Sequence, residues 1–103
     1  MALLEGDADK ELPFRLLVHW RAGHMSTPHT QPKDRVILGI KGVCWFGTGD
    51  KPNPDAMIAL HSGQVLSYFA KGLHYDGARD GDCVMEVSGM GPIQGLPPLS
   101  PTP

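Results

Sequence analysis

Between Pro13 and Pro92 the chain never holds apolar residues at helical spacing for the length of a helix, and glycines and prolines break every stretch that begins to. What it offers instead is a series of short runs rich in branched and aromatic residues: FRLLVHW (14–20), RVILGIKGVCWFG (35–47), MIALHSG (57–63), QVLSYFA (64–70) and CVMEVSG (83–89). Turn formers separate them. Gly47, Gly49, Asp50, Pro52, Asn53 and Pro54 make one dense cluster, and Asp76, Gly77, Asp80, Gly81 and Asp82 make another. With 13 glycines and 10 prolines in 103 residues, the chain has the punctuation of many short strands and not of long ones. The expectation is an all-β sandwich or barrel over 13–93, preceded by a flexible, charged arm (1–12). The proline-rich tail (94–103) reads as extended, with a composition that a proline-recognising partner could bind.

A chain of this length makes one domain. Its formal charge of −2 is spread in mixed signs, so there is no basic field for nucleic acid or for an anionic membrane surface, and neither is expected as a partner. No apolar run approaches the length of a membrane span, and the start, MALLEGDADKEL, lacks the basic and apolar regions of a signal peptide. The default is a cytoplasmic protein. Cys44 and Cys83 stand far apart in apolar surroundings, VCWF and CVMEV, and are expected as buried, reduced thiols.

The stretch TPHTQPKDR (27–35) has the rhythm of a metal-binding loop running into a strand, but with Gln31 and Arg35 where a second histidine and a carboxylate would stand. With that loop in view, the chain resembles the cupin superfamily of double-stranded β-helix (jelly-roll) barrels. More narrowly it resembles small single-domain bacterial cupins similar to the metal-binding domain of the anti-sigma factor ChrR. The first cupin motif is a histidine, a spacer, a histidine, three or four spacers, a glutamate, six spacers and a glycine; His29, Gln31, Arg35 and Gly42 fall on it. The second is a glycine, five residues, a proline, a residue, a glycine, two residues and a histidine; Gly63, Phe69, Lys71 and His74 fall on it. FGTGDK (46–51) and VSGMGPI (87–93) are similar to the glycine-rich turn and last strand of these proteins, so the resemblance spans 13–93.

The resemblance implies a jelly-roll fold, four metal-ligand positions and, in so short a chain, a homodimer covering the outer face of a sheet whose strands are apolar on both sides. Only His29 and His74 keep their metal-ligand identity. Gln31 offers a neutral carbonyl oxygen, and Arg35 offers donors only, with a fixed positive charge where a cation would sit. Two functions follow. The first is a pocket without a tightly held metal, in which Arg35 holds a small polar or anionic molecule with His29, Gln31 and His74 as hydrogen-bond partners. The alternative is a metal-dependent enzyme of dioxygenase, isomerase or lyase type, with a divalent metal (Zn, Ni, Mn or Fe) on His29, Gln31 and His74. A non-catalytic scaffold or regulatory interaction domain is the third reading. Arg35 has the structural alternative of an ion pair with Asp34, Asp76 or Glu86. No residue in the sequence declares itself catalytic, and His19, His24 and His61 read as strand or turn residues. Trp20, Trp45, Phe46, Tyr68 and Phe69 read as core or subunit-interface residues.

Overall fold

The computed structural model describes residues 2–6, 12–30, 33–68 and 72–90. The proline-rich tail, together with Gln31, Phe69 and Lys71, lies outside the described residues.

The strand runs fold into two antiparallel sheets. The larger sheet has the order β1-β2-β8-β3-β6, with β1 at Ala2–Glu5, β2 at Pro13–Trp20, β3 at Arg35–Lys41, β6 at Val65–Tyr68 and β8 at Cys83–Met90. The smaller is β5-β4-β7, with β4 at Val43–Thr48, β5 at Ile58–His61 and β7 at His74–Gly77. The one helical element among the described residues is a 3-10 turn at Pro54–Ala56, capped by the Asn53 side chain, inside the first turn cluster.

Several boundaries differ from the sequence reading, each for a local reason. RVILGIKGVCWFG is two strands in different sheets: Gly42 breaks it at φ +69°, a conformation that costs other residues a Cβ clash. Three residues of the N-terminal arm pair with β2: Ala2 lies opposite Leu17, Leu3 opposite Leu16 and, after a register shift, Glu5 opposite Arg15. His74–Gly77, whose second half reads as a turn in the sequence, is a strand buried along its whole length. Burial on both faces removes the alternation by which strands are recognised.

The core lies between the sheets. Phe14, Leu16 and Val18 of β2, Ile37 of β3, and Met85 and Val87 of β8 point inward in strict alternation and meet Cys44 and Phe46 of β4 and Leu60 of β5. On the opposite side of β3 and β6, Val36, Ile40 and Val65 are 43%, 41% and 62% exposed. No helix among the described residues is long and apolar enough to cross a membrane.

The cysteine expectation needs correction. Both residues are buried, but Cys44 on β4 and Cys83 on β8 are bonded as a disulfide, with their Cα atoms 5.4 Å apart. Face-to-face packing of the sheets brings together residues 39 apart in sequence. Disulfides persist mainly in oxidising compartments, an observation in tension with a cytoplasmic default.

This cross-link staples the two sheets, and chain-entropy reasoning for a loop of 39 residues assigns it about 4 kcal/mol. Cys44→Ala and Cys83→Ala are expected each to lower the urea midpoint accordingly, and a reducing agent to lower that of the parent alone. A parent midpoint indifferent to reductant under conditions that expose both sulfurs would contradict the cross-link.

Candidate metal centre

The local structure around His29 follows from a close approach at Gly77. A Cβ on Gly77 would collide with the carbonyl oxygen of His24 and crowd Met25. Glycine therefore lets the segment after β2 lie directly on β7, where Met25 bridges Gly77 and His29 bridges His74. His29 and His74 exchange both backbone hydrogen bonds (2.9 and 3.0 Å), and the Ser26 N–H donates to the Asp76 carbonyl at 2.7 Å. The loop takes one residue more than the strand between these bridges, so it bulges there.

This pairing puts His29 beside His74, and the alternation of β7 puts Asp76 on the same side as His74. One ligand atom from each of the three lies within 4.8 Å of the other two. The imidazole rings are 4.5 Å apart, edge to face. Each ring is oriented by a backbone carbonyl: Nδ1 of His29 lies 2.8 Å from Thr27 O, and Nδ1 of His74 lies 3.2 Å from Gly72 O. A carbonyl only accepts, so in both rings Nδ1 carries the proton, and in the neutral form of each ring Nε2 carries the lone pair. Both Nε2 atoms are buried and have no hydrogen-bond partner among the described residues.

Asp76 is also held from behind. Trp20 donates its indole N–H to Oδ2 at 2.9 Å, and Ser26 Oγ lies 3.5 Å from Oδ1. Burial pushes the Asp76 carboxyl up to about 6, against the hydrogen bonds from Trp20 and Ser26 and the neighbouring His29, which favour the carboxylate. Burial pushes His74 down to about 4, helped by His29 and opposed by the Gly72 carbonyl. At neutral pH the set is thus a neutral His74 imidazole and a carboxylate, each in the form that binds a metal. Tyr68 covers the ring of His74, stacked at 3.8 Å with an interplanar angle of 19°, and Phe46 supports Tyr68 at 5.5 Å. Burial, with the charge of Asp76 as a smaller cause, raises the Tyr68 hydroxyl and keeps it protonated.

Arg35 sits elsewhere. On the inner face of the large sheet, Phe14, Gly89, Arg35 and Tyr68 are successive cross-strand neighbours. The arginine leans over Gly89, where a Cβ would come within 3.2 Å of its Cδ, and reaches the Phe14 ring with its guanidinium carbon 4.9 Å from the centroid. Its Nη1 donates to the carbonyls of Met90, Asp34 and Lys33 at 2.9, 3.2 and 3.3 Å. The side chain therefore turns away from Tyr68. Two of the three carboxylates named as its alternatives are engaged elsewhere: Glu86 pairs with Arg15 at 2.7 Å, and Asp76 accepts from Trp20.

Of the sequence candidates, then, the structure brings His29 and His74 together, places Arg35 on a separate row, and leaves Gln31 outside the described residues. The residue that sequence reasoning missed is Asp76. The available signal was a histidine and an aspartate two apart, which a strand would put on one face. Trp20, read as a core or interface residue, holds that aspartate. His19 pairs with Asp82 at 3.0 Å, and His24 and His61 occupy turns and strand ends.

The donor set fits a metal. Two imidazole nitrogens and one carboxylate oxygen form the two-histidine, one-carboxylate set suited to first-row divalent ions. With bonds near 2.1 Å, neighbouring ligand atoms stand roughly 3.0–3.4 Å apart, so a group whose ligand atoms lie within 4.8 Å would draw together by about an ångström or more at its widest pair.

Comparison with known proteins places the architecture. The chain superposes on a cupin-like protein from Thermotoga maritima with a TM-score of 0.69 at 20% identity, over 84% of this chain and 65% of that one. It superposes on a cupin-2 domain protein from Shewanella frigidimarina with a TM-score of 0.67 at 16% identity, covering 86% and 78% of the two chains. The DMSP lyase DddQ from Ruegeria pomeroyi matches with a TM-score of 0.68 at 16% identity, over 84% of this chain and 42% of the lyase. The chain thus spans under two thirds of the Thermotoga protein and less than half of the lyase. No protein-family model and no curated protein matches it. The fold is the cupin double-stranded β-helix.

The Asp76 shift has a stability signature in metal-stripped protein. Between its ordinary 3.8 and about 6, the folded chain keeps a proton that the unfolded chain has released. Its contribution is therefore fully present below about pH 4 and lost as pH rises through 6. Asp76→Asn escapes that loss, so its denaturation midpoint should gain on the parent's between pH 4 and pH 7. A parent that gains on the variant over that range would contradict the assignment.

Proposed function

We propose that this chain is a metal-dependent cupin acting on a small polar molecule, with its ion held by His29, His74 and Asp76. The observation that carries the reading is the pair of buried, unpartnered Nε2 atoms next to a buried carboxylate. Buried polar atoms almost always have partners, and two imidazole nitrogens facing a carboxylate suit a cation. A divalent first-row ion there would act as a Lewis acid with coordination positions open to an oxygen ligand.

The chain's own contributions are separable. The Thr27 and Gly72 carbonyls fix the imidazole tautomers, Trp20 and Ser26 fix the carboxylate, and Tyr68 walls the site over His74. The reaction class is that of a lyase, isomerase or dioxygenase, and the lyase among the fold neighbours is one instance of chemistry on this architecture. The metal-free pocket built on Arg35 has less support, because its guanidinium is engaged with backbone carbonyls and the Phe14 ring. The finer likeness to the ChrR-type domain rests on the spacing of His29, Gly42, Gly63 and His74 together with FGTGDK (46–51) and VSGMGPI (87–93).

Stripped, tag-free protein incubated with zinc, nickel, manganese or ferrous iron and then desalted should retain about one ion per chain for at least one of them. His29→Ala, His74→Ala and Asp76→Asn should each lose it. Arg35→Met should keep it while losing stability on the order of 3 kcal/mol, because its hydrogen bonds come from a buried charged group. Substoichiometric metal with every ion would overturn the reading in favour of a metal-free pocket or a scaffold.

A further inference from the structure

Among the described residues, three buried polar atoms around the centre have no hydrogen-bond partner: Nε2 of His29, Nε2 of His74 and the hydroxyl of Tyr68. A cation satisfies the two nitrogens. It leaves the third unanswered, because a phenol hydroxyl carries a hydrogen that needs an acceptor. Tyr68 is 8% exposed and clamped between the ring of His74 and that of Phe46, so the hydroxyl is not at liberty to turn to bulk water. A phenol fixed against a metal-ligating imidazole, with its donor unspent, suits an oxygen atom brought in by a ligand of the metal.

The charges narrow what that ligand is. A divalent ion and the Asp76 carboxylate leave one net positive charge in a buried site. A monoanion cancels it, and an uncancelled charge there is costly. We infer that Tyr68 is a ligand-binding residue whose hydroxyl donates to the oxygen of a small carboxylate-bearing molecule bound at the His29–His74–Asp76 centre. This rests on the metal reading above and adds the ligand class and the residue that recognises it.

The test uses the full chain loaded with cobalt(II), with acetate as the probe and the visible cobalt absorption as the readout. Tyr68→Phe keeps the stacked ring, so it should bind cobalt within about twofold of the parent, while its acetate Kd rises roughly tenfold or more, as expected for loss of a hydrogen bond to a charged group. Equal acetate affinity in the two proteins, or no acetate binding to the cobalt-loaded parent, would overturn the inference and leave the metal reading intact. Loss of cobalt from a folded Tyr68→Phe chain would make the phenol a metal ligand instead, which also overturns it. A Tyr68→Phe chain that no longer folds would mean that the hydroxyl already has a structural partner, and the inference would fall on that ground too. If the parent takes up no cobalt, the metal reading itself fails and this inference falls with it.

Discussion

The site depends on one contact, the docking of residues 25–29 against β7. It requires Gly77, because any side chain there would meet the His24 carbonyl. It is held by backbone bonds between His29 and His74 and by the reciprocal pairing of Ser26 with Asp76, whose backbone N–H donates to Ser26 Oγ at 3.0 Å. Every member of the centre is placed by this docking or by the alternation of β7 itself. The disulfide between Cys44 and Cys83 acts one layer further out, fixing β4, the neighbour of β7, against β8. A small barrel with few core residues can thus hold a buried carboxylate beside two imidazoles without relying on core packing alone.

Much of the fold was legible in the sequence because strands half-exposed to solvent alternate, and β2, β3 and β8 do so almost without exception. β7 was not legible. All four of its residues are buried, so its pattern carries no period, and Asp76 and Gly77 look like turn chemistry. The missed aspartate follows from the missed strand. The cysteine pairing was hidden for a different reason, since it depends on how two sheets face each other and not on any local signal.

Arg35 shows how motif spacing and side-chain position can part company. Its Cα occupies an inward-facing position on β3 next to Tyr68, as spacing implied. Where its charge ends up is decided by the residue on the other side. Gly89 leaves an open lane toward Phe14 and the carbonyl of Met90, and a buried guanidinium follows its acceptors. The charge that argued against a cation is therefore spent at one end of the large sheet. The carboxylate that argued for one came from another strand.

The most direct measurement is a long-range proton–nitrogen correlation spectrum of the ¹⁵N-labelled protein, recorded before and after one equivalent of zinc. His29 and His74 are both expected to begin with a proton on Nδ1, and both Nε2 resonances to move to metal-bound values, while His19, His24 and His61 stay where they were. Imidazoles protonated on Nε2 at the start, or Nε2 resonances unmoved by zinc, would contradict it.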